Sequence, residues 1–471
     1  MTMTDIYLTN ALTKKKELLK TVKEGEVGIY SCGPTVYWNQ HIGHMYAYVQ
    51  WDTLVRFLRF IGYKVTWVMN ITDVGHMTSD EDEGEDKMEK GAKREGVSVW
   101  DLAGMYIDQF TESMKLLNIT TPDVLPRATK HIDEQIGLIK EIEKNGYSYT
   151  TSMGVVFDTT KFKDYSKFAG LDLEKQKARK DVETDEEKKN PWDFLLWVTG
   201  NPKHIMKWES PWGEGHPGWH IECTAMSTKY LGDNFDIHTG GIEHIGVHHT
   251  NEIAQGYAAF GKQTANYWLH NAWLMGKEGG KMSKSLGNYL TAQELVEKGH
   301  DPLALRYLIL NSHYKKGLNF SLEALESATT ALNNLYDLAK RQKTDKKRTT
   351  LSVEKSRKVD EYRENFILSL ADDLNTPKAL SVLWEVLKSN IPSEDKYDLA
   401  LAFDEVLGLK IAENAVEKDV DIPKEVNTLL EERETLRNSK EFEKADEIRK
   451  KIEEKGYKVD DSPGGAKVIK K

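Results

Sequence analysis

Cysteine is scarce in this chain, with Cys32 and Cys223 the two in 471 residues. Two thiols allow one disulfide at most, so the chain is not a small disulfide-stapled scaffold. Long apolar runs are also missing, because no stretch approaches the roughly 20 residues of a membrane-spanning helix. Positive charge is not in excess, since 65 Lys and Arg stand against 75 Asp and Glu. The net charge of −10 does not indicate a nucleic-acid binder and does not exclude one, because only local charge decides.

The composition is that of a large folded protein. Hydrophobic residues make up 39% and charged residues 30%, with 12 Trp and 20 Tyr, which is typical of globular proteins. The length predicts two to four domains. The first residues, MTMTDIYLTNALTKKKELL, lack an apolar core before a small-residue cleavage site, so no secretory signal is predicted. We therefore expect a cytoplasmic protein, in which distant thiols serve as metal ligands, nucleophiles or core.

Two stretches predict a sheet built from parallel strands. Residues 26–72 read as a buried strand, a Gly33-Pro34 turn, a helix with a 3.6-residue apolar period that ends at Gly62, and a second apolar strand. A second run starts at FDIHTGG, residues 235–241, and continues to TAQELVEKG, a predicted helix with a capping box. The fold class predicted here is α/β, with the sheet split by an insertion at about 120–230.

The rest of the chain predicts helices. From about Leu318 the apolar periodicity is helical only, and Pro377 suits a first helical turn, which predicts a helical bundle. The last stretch predicts two packed helices and a hairpin, and the apolar stripe of those helices comprises Leu429, Leu430, Leu436, Phe442, Ala445, Ile448 and Ile452. The acidic run at 78–96 lacks the spacing of a calcium loop and is predicted to be a solvated loop.

Two short motifs indicate a nucleotide-phosphate site. His41-Ile42-Gly43-His44 lies at the first strand-to-helix turn, where a helix N-terminus offers free backbone donors to phosphates. KMSKS at 281–285 follows the glycine-rich GKEGG, and its lysines and serines suit a polyphosphate that is gripped and released. Alone, a KMSKS sequence is more often a set of exposed polar residues on a surface loop with no binding role. Together the two motifs favour a phosphate site.

A third group of residues has the spacing of metal ligands. His248 and Glu252 are four residues apart and share one helical face, and Cys223 precedes them. Cys32 supplies a fourth ligand if the first strand ends beside this helix, and the set suits zinc. His249, about 100° further around the helix, is predicted to point away from Glu252 and to be a weaker ligand. His238 and His244 remain competitors, and two buried cysteines with a satisfied histidine are the alternative.

These motifs, with CGPTVY, NITD, PWG, PGWHIEC, FDIH and HHTNEIAQ, resemble the class I aminoacyl-tRNA synthetases, specifically the cysteinyl-tRNA synthetases. The resemblance covers nearly the whole chain and implies a Rossmann-type parallel-sheet catalytic domain with an insertion for the acceptor end. It also implies an α-helical anticodon-stem bundle, which contains LADDLNTPKAL, and a small C-terminal α+β anticodon domain, which contains FEKADEIR. The implied bounds are 1–120 with 230–317 for the catalytic domain, 121–229 for the insertion, 318–420 for the bundle and 421–471 for the C-terminal domain.

The resemblance implies ATP-dependent activation of L-cysteine to cysteinyl adenylate and transfer to tRNA(Cys), without an enzyme nucleophile. Zn2+ is held by residues that match Cys32, Cys223, His248 and Glu252, the metal holds the substrate sulfur, and Glu252 is expected to be the labile ligand. The remaining implied roles are catalysis by His41, His44, Lys281 and Lys284, ATP binding by these four with Gly43, Glu243 and Ser283, and cysteine binding by Gly33, Thr72, Trp219 and His238. Mg2+ accompanies ATP, and a monomer with no membrane association is expected.

Two departures and two alternatives accompany this resemblance. Where many members have an Asp-Asp pair after NITD, this chain has Val74-Gly75-His76, and its HHTNE differs from the commoner pattern while keeping Glu252. A cysteine ligase of the mycothiol pathway shares the adenylating core, the zinc site and both motifs but lacks an anticodon domain, so the tail after 421 argues against it. A catalytically silent zinc and tRNA-binding regulator is disfavoured by the intact HIGH and KMSKS motifs.

Overall fold

The computed structural model describes residues 4–76, 86–169, 187–201, 204–276, 290–343, 350–416, 423–462 and 465–470. The chain divides into two compact units, Met1–Asn414 and Ala415–Lys471. The strands are β1 Tyr7–Asn10, β2 Lys15–Leu18, β3 Glu26–Ser31, β4 Lys64–Met69, β5 Ser148–Thr151, β6 Gly154–Phe157, β7 Phe194–Val198, β8 His216–Pro217, β9 Phe235–Gly241, β10 Ala265–Asn271, β11 Leu274–Met275, β12 Leu318–Asn319, β13 Tyr457–Ser462 and β14 Gly465–Lys470.

The α-helices of the first unit span Ile42–Phe60, Lys87–Glu95, Val99–Leu116, Ile132–Lys144, Tyr165–Ala169, Trp219–Leu231, His248–Phe260, Ala292–Glu297, Pro302–Leu310, Leu322–Gln342, Val353–Ala371, Thr376–Lys388, Ser393–Leu407 and Ile411–Asn414. Those of the second unit span Lys424–Asn438 and Phe442–Glu454. Two expected helix starts are confirmed, because Thr291 and Glu294 form the capping box and Pro377 lies in the first turn of its helix. No helix within the described residues is long and apolar enough to cross a membrane.

The core of the first unit is a four-stranded parallel sheet in the order β10-β9-β3-β4. Strand β3 is central, and its Ile29 lies opposite Trp67 of β4 and Ile237 of β9. All three side chains are buried, as expected for a parallel sheet covered on both faces. The predicted α/β class and the split of the sheet are therefore confirmed, since β3 and β9 pair although an inserted antiparallel sheet separates them in the chain.

The insertion contains a second, antiparallel sheet in the order β5-β6-β7-β8. The helix Trp219–Leu231 follows it, crosses the predicted bound at 229, and packs against β3, β4 and the helix His248–Phe260. The bounds at 120, 229 and 317 lie inside the first unit and stay predictions, as does the bound at 420.

A buried ion pair connects the helix that follows β3 with the helix Pro302–Leu310. Asp52 Oδ2 accepts from Arg306 Nη2 at 2.6 Å and from Arg56 Nε at 2.8 Å, and neither Asp52 nor Arg306 has an exposed side chain. Arg306 also donates to three carbonyls, those of Leu117, Asn118 and Leu407. The pair is fully hydrogen-bonded, which a buried charge requires.

The acidic run does not remain a loop throughout. Residues Lys87–Glu95 form a helix, and the buried Asp86 caps it by accepting from the Glu89 N–H at 2.7 Å. The loop prediction is wrong for this part, because Asp86 is a strong N-cap residue and Met88 is buried against the neighbouring helix. Positions 78–85 of the run lie outside the described residues.

The second unit has its own small core. Ile448 and Ile452 pack with Val426 of the preceding helix and with Val459 and Val468 of the β13-β14 hairpin. The predicted hairpin and most of the stripe are confirmed. Phe442 is the exception: it is 57% exposed, because as the first helical residue it lies outside this core.

Candidate active site

The candidate site lies at the carboxyl end of the parallel sheet. Cys32 directly follows β3, and its backbone N–H donates to Thr239 of β9 at 3.1 Å. Cys223 lies on the helix Trp219–Leu231, while His248 and Glu252 lie on the helix His248–Phe260. Because these two helices pack together beside β3, side chains far apart in the sequence meet here.

The structure brings the four predicted metal ligands together. One ligand atom from each of Cys32, Cys223, His248 and Glu252 lies within 4.8 Å of the others. Cys223 and Glu252 are 2% and 1% exposed, and His248 Nε2 lies 3.1 Å from Glu252 Oε1. Two thiols, an imidazole and a carboxylate around one point form a donor set that suits zinc.

A second set of candidate ligands overlaps the first. Cys32 and Glu252 also lie within 4.8 Å of His238 and His249. His249 Nε2 is 3.2 Å from Cys32 Sγ and 3.9 Å from Glu252 Oε1, so the prediction that His249 points away from Glu252 is wrong. Residues three positions apart on a helix, such as His249 and Glu252, are neighbours on its surface. The angle of about 100° separates His249 from His248 and does not describe its position relative to Glu252. His244 belongs to neither set, and its Nδ1 accepts from the Gly241 N–H at 3.2 Å.

Burial and close charges shift the pKa values of this cluster. Burial opposes ionisation of Glu252, but His238 and His248 lower the pKa of its carboxyl to about 2. Burial also disfavours charged His248, yet its contacts with Cys223 and Glu252 raise its pKa to about 10. The hydrogen bond with Cys32 lowers the pKa of Cys223 to about 7. Burial raises the pKa of Cys32 well above its usual value. Without a metal the negative charge of Glu252 is therefore offset by protonated His248, and a bound cation would replace the protons on His248 and the thiols.

The HIGH residues form the start of the helix after β3. His41 is the N-cap, and its Nδ1 accepts from the Gly43 N–H at 2.9 Å. The rings of His41 and His44 are 3.8 Å apart between centroids. A Cβ on Gly43 would lie 2.5 Å from His41 Cε1, so any other residue here would displace the His41 ring from its capping position. Ile42 N–H donates to the carbonyl of Leu290, the first described residue after KMSKS, at 2.8 Å.

The remaining predicted residues occupy different surroundings. The Gly33 N–H donates to Asn70 Oδ1 at 2.8 Å. Trp219 is half-buried beneath the Lys87 ammonium, which lies 4.3 Å from the ring centroid. Glu243 is exposed and accepts from Trp273 Nε1 at 2.8 Å. The predicted residues Lys281, Ser283 and Lys284 lie outside the described part of the chain.

Sequence reasoning missed two residues that face Thr72 and Trp219. Glu222 is fully buried; its Oε2 accepts from Thr72 Oγ1 at 3.0 Å and its Oε1 lies 2.6 Å from His76 Nε2. The His76 ring stacks near Trp219 at 5.9 Å. The available signal was the single acidic residue in the otherwise uncharged helical stretch WHIECTAM.

A third group of candidate metal ligands, Asp86, Glu89 and His204, is less suited to a metal than the two sets above. The Met206 N–H donates to His204 Nδ1 at 3.1 Å, so the ring proton lies on Nε2. That nitrogen faces Asp86 Oδ2 at 2.9 Å. Because a metal would need the lone pair at Nε2, this contact is an ion pair or hydrogen bond within the fold.

The chain matches a known family of enzymes over most of its length. The family model of the class I (C) tRNA synthetase catalytic domain matches residues 18–330. The cysteine-tRNA ligase of Treponema denticola is 43% identical, over 98% of this chain and 98% of its own length. Cysteine-tRNA ligase 1 of Burkholderia lata is 45% identical, over 95% and 93%. The chain belongs to the cysteine-tRNA ligase family. As a cysteine-tRNA ligase it is a class I aminoacyl-tRNA synthetase whose substrates are an amino acid, ATP and a tRNA.

Further matches cover the two C-terminal parts of this cysteine-tRNA ligase. A DALR domain matches residues 365–408, and a cysteinyl-tRNA ligase anticodon binding domain matches residues 419–468. Among solved structures, methionyl-tRNA synthetase of Mycobacterium tuberculosis bound by methionyl-adenylate has a TM-score of 0.58 at 16% identity, covering 83% of this chain and 92% of that chain. The structural match shows the class I fold.

Proposed function

We propose that this enzyme activates L-cysteine with ATP, releases pyrophosphate, transfers the cysteinyl group to tRNA(Cys), and selects cysteine over serine with zinc. The observation that carries the selection step is the convergence of Cys32, Cys223, His248 and Glu252 at the carboxyl end of the sheet. A bound zinc would supply a soft Lewis acid that ligates the substrate's deprotonated sulfur better than a hydroxyl.

The first ligand set fits zinc better than the overlapping one. It contains both thiols of the chain, whereas the set with His238 and His249 contains one. His248 Nδ1 lies 2.8 Å from His220 Nδ1, which leaves His248 Nε2 facing Glu252 and the cluster. Such an outer contact fixes the ring orientation of a metal-bound histidine.

Glu252 is suited to exchange with the substrate. Its Oε1 faces the cluster, and its Oε2 accepts from His238 Nε2 at 2.9 Å. A carboxylate that leaves the metal therefore keeps a buried partner, which lowers the cost of its negative charge. His238 then acts beside the substrate by holding Glu252, in addition to the pocket role that the family resemblance implies.

The ATP site is proposed around the HIGH helix. Because His41 Nδ1 accepts from Gly43, the proton of a neutral His41 lies on Nε2, where it can donate to a phosphate oxygen. His44 lies against this ring and is proposed as the second donor. Glu243 keeps Oε1 for the ribose hydroxyls, since Trp273 occupies Oε2.

The KMSKS residues complete this proposal. Lys281 and Lys284 neutralise the β- and γ-phosphates together with Mg2+, and Ser283 contributes a hydroxyl to ATP binding. Lys284→Ala should slow adenylate formation far more than it weakens cysteine binding, because the cation is needed most as pyrophosphate leaves. Pre-steady-state exchange that shows only a raised KM for cysteine, at full turnover, would exclude this role.

Exchange of pyrophosphate into ATP tests the activation step and the selection of cysteine over serine. The purified enzyme should contain about one zinc per chain and catalyse exchange with cysteine but not with serine. An active preparation without zinc would contradict the metal assignment. Charging of tRNA(Cys) then separates a synthetase from a cysteine ligase that uses an amino sugar. The monomeric state and the cytoplasmic location stay predictions.

Two histidine variants decide between the ligand sets. His248→Gln should lose zinc and cysteine affinity together, as should Cys223→Ser, because each removes a ligand of the first set. His249→Gln is the matched control and should keep its zinc. Zinc loss in His249→Gln with retention in His248→Gln would assign the metal to the other set.

A further inference from the structure

A continuous series of hydrogen bonds runs from the loop that carries Cys32 to His76. The Gly33 N–H donates to Asn70 Oδ1 at 2.8 Å, and Asn70 Nδ2 donates to Thr72 Oγ1 at 3.1 Å. Thr72 Oγ1 then donates to Glu222 Oε2 at 3.0 Å, and Glu222 Oε1 lies 2.6 Å from His76 Nε2. Every bond fixes the orientation of the next group.

The Thr72 hydroxyl donates to Glu222 Oε2 because the acidic proton of this pair of groups lies on the side of His76. At 2.6 Å, the proton shared by Glu222 and His76 lies between Oε1 and Nε2, on one atom or the other. Burial raises the pKa of the Glu222 carboxyl well above its usual value, and a proton held at Oε1 against His76 leaves Oε2 as the acceptor of the Thr72 hydroxyl. Among the described residues, Thr72 is the donor to this oxygen, and the carboxyl group is fully buried, so water does not replace this bond.

This direction determines what Thr72 can offer a substrate. A hydroxyl has one proton and two lone pairs. The proton of Thr72 points to Glu222, and the Asn70 amide occupies one lone pair. What remains is a single acceptor position, which suits a donor such as an ammonium group and repels a carboxylate.

We infer that Glu222 is a positioning residue that turns Thr72 into an acceptor for the α-ammonium group of the amino acid substrate. This inference rests on the proposed function, in which Thr72 lines the cysteine pocket. Thr72 is 2% exposed, so an ammonium bound at its oxygen is nearly desolvated. A hydrogen bond to a charged group is stronger under that condition.

Glu222 lies between Thr72 and the His76 ring and contacts both. It precedes the metal-ligand candidate Cys223 and follows Trp219 by three residues on the same helix. Trp219 stacks near His76, which is the other partner of Glu222. The carboxyl group therefore holds the Thr72 hydroxyl and the ring beside Trp219 in one arrangement.

The test compares cysteine with 3-mercaptopropionate, which has the same thiol and carboxylate but lacks the ammonium group. Glu222→Met removes the acceptor, and Thr72→Val removes the hydroxyl. Each should raise the KM for cysteine in pyrophosphate exchange about tenfold or more, with kcat largely kept, because a hydrogen bond to a charged group is lost. Inhibition by 3-mercaptopropionate should change less than about twofold, since it makes no such bond.

Controls separate this role from a structural one. Glu222→Gln keeps an amide oxygen that can accept from Thr72 and should retain most of the cysteine affinity. Thr53→Val removes a buried hydroxyl elsewhere, where Thr53 Oγ1 donates to Val49 O at 2.8 Å, and should change neither ligand. Zinc content and melting temperature are measured in each variant and show whether it has folded. If Glu222→Met does not fold, the result for Thr72→Val tests the inference.

Three outcomes are distinguishable. Selective loss of cysteine affinity supports the inference. Equal weakening of cysteine and 3-mercaptopropionate, or no change in Thr72→Val, overturns it while the exchange activity of the wild type stands. Failure of the wild type to catalyse cysteine-dependent exchange would instead overturn the proposed function.

Discussion

Replacing Asp52 with asparagine should destabilise the first unit by about 3 to 5 kcal/mol, as expected when one partner of a buried ion pair is removed. The substitution keeps the size of the side chain and the Oδ1 acceptor that the Thr120 N–H contacts at 2.8 Å. It replaces the oxygen that faces Arg306 and Arg56 with an amide, whose N–H groups point at other donors.

The size of the effect follows from the surroundings of Arg306. Its side chain is 0% exposed, and three of its contacts are to backbone carbonyls, which carry no full charge. The charge of Arg306 therefore loses its buried counter-charge. Replacing both Asp52 and Arg306 with apolar residues should cost less than either single substitution, because no unpaired buried charge remains.

Urea unfolding followed by tryptophan fluorescence measures this unit alone, since the 12 tryptophans all precede residue 415. Glu26→Gln is the control, because Glu26 pairs with Lys64 at the surface and should hardly shift the midpoint. An Asp52→Asn midpoint equal to that of Glu26→Gln would refute the reasoning.

The pH dependence gives a second check on Asp52. Burial opposes its ionisation, but Arg306 and Arg56 lower the pKa of its carboxyl below the usual value. A lowered folded pKa contributes stability above the unfolded value of about 3.9, and this contribution is lost as pH falls through the folded pKa. The difference between wild type and Asp52→Asn should thus be complete at pH 7 and shrink below about pH 4.

Three further predictions concern other parts of the chain. Gly33→Ala should lower zinc content and raise the KM for cysteine, because the new Cβ would lie 1.7 Å from the Asn70 carbonyl oxygen and displace the loop of the candidate ligands. Thr291→Ala should cost about 1 kcal/mol in the same unfolding assay, through loss of its capping bond from the Glu294 N–H. Deletion of 415–471 should leave cysteine-dependent exchange intact and reduce tRNA charging, and a loss of exchange would show that the first unit needs this segment.

Local features of the fold were predictable from the sequence. The apolar runs of β3, β4 and β9, the capping box at Thr291 and the helices of the second unit depend on neighbours within a few residues. The helix Lys87–Glu95 was missed because charge density hid its N-cap and its small buried face.

Contacts between distant segments were less predictable. The ligand candidates Cys32, Cys223, His248 and Glu252 were recognised because each has a distinct chemistry, and the family resemblance joined them. Glu222 is marked in the sequence only as the single acidic residue of WHIECTAM, and its role depends on facing Thr72, which is 150 positions away. The spacing of residues in the sequence does not show that two residues so far apart are in contact in the fold.

The pairing of β3 with β9 has a consequence for synthesis of the chain. Cys32 and Glu252 are 220 positions apart, so at about 5 to 20 residues per second the ribosome needs roughly 10 to 45 s between them. During most of that interval the Cys32 thiol lacks the other three ligand candidates, since the first of them to be synthesised is Cys223. The nascent chain therefore acquires a complete binding cluster only when the segment after β9 has emerged.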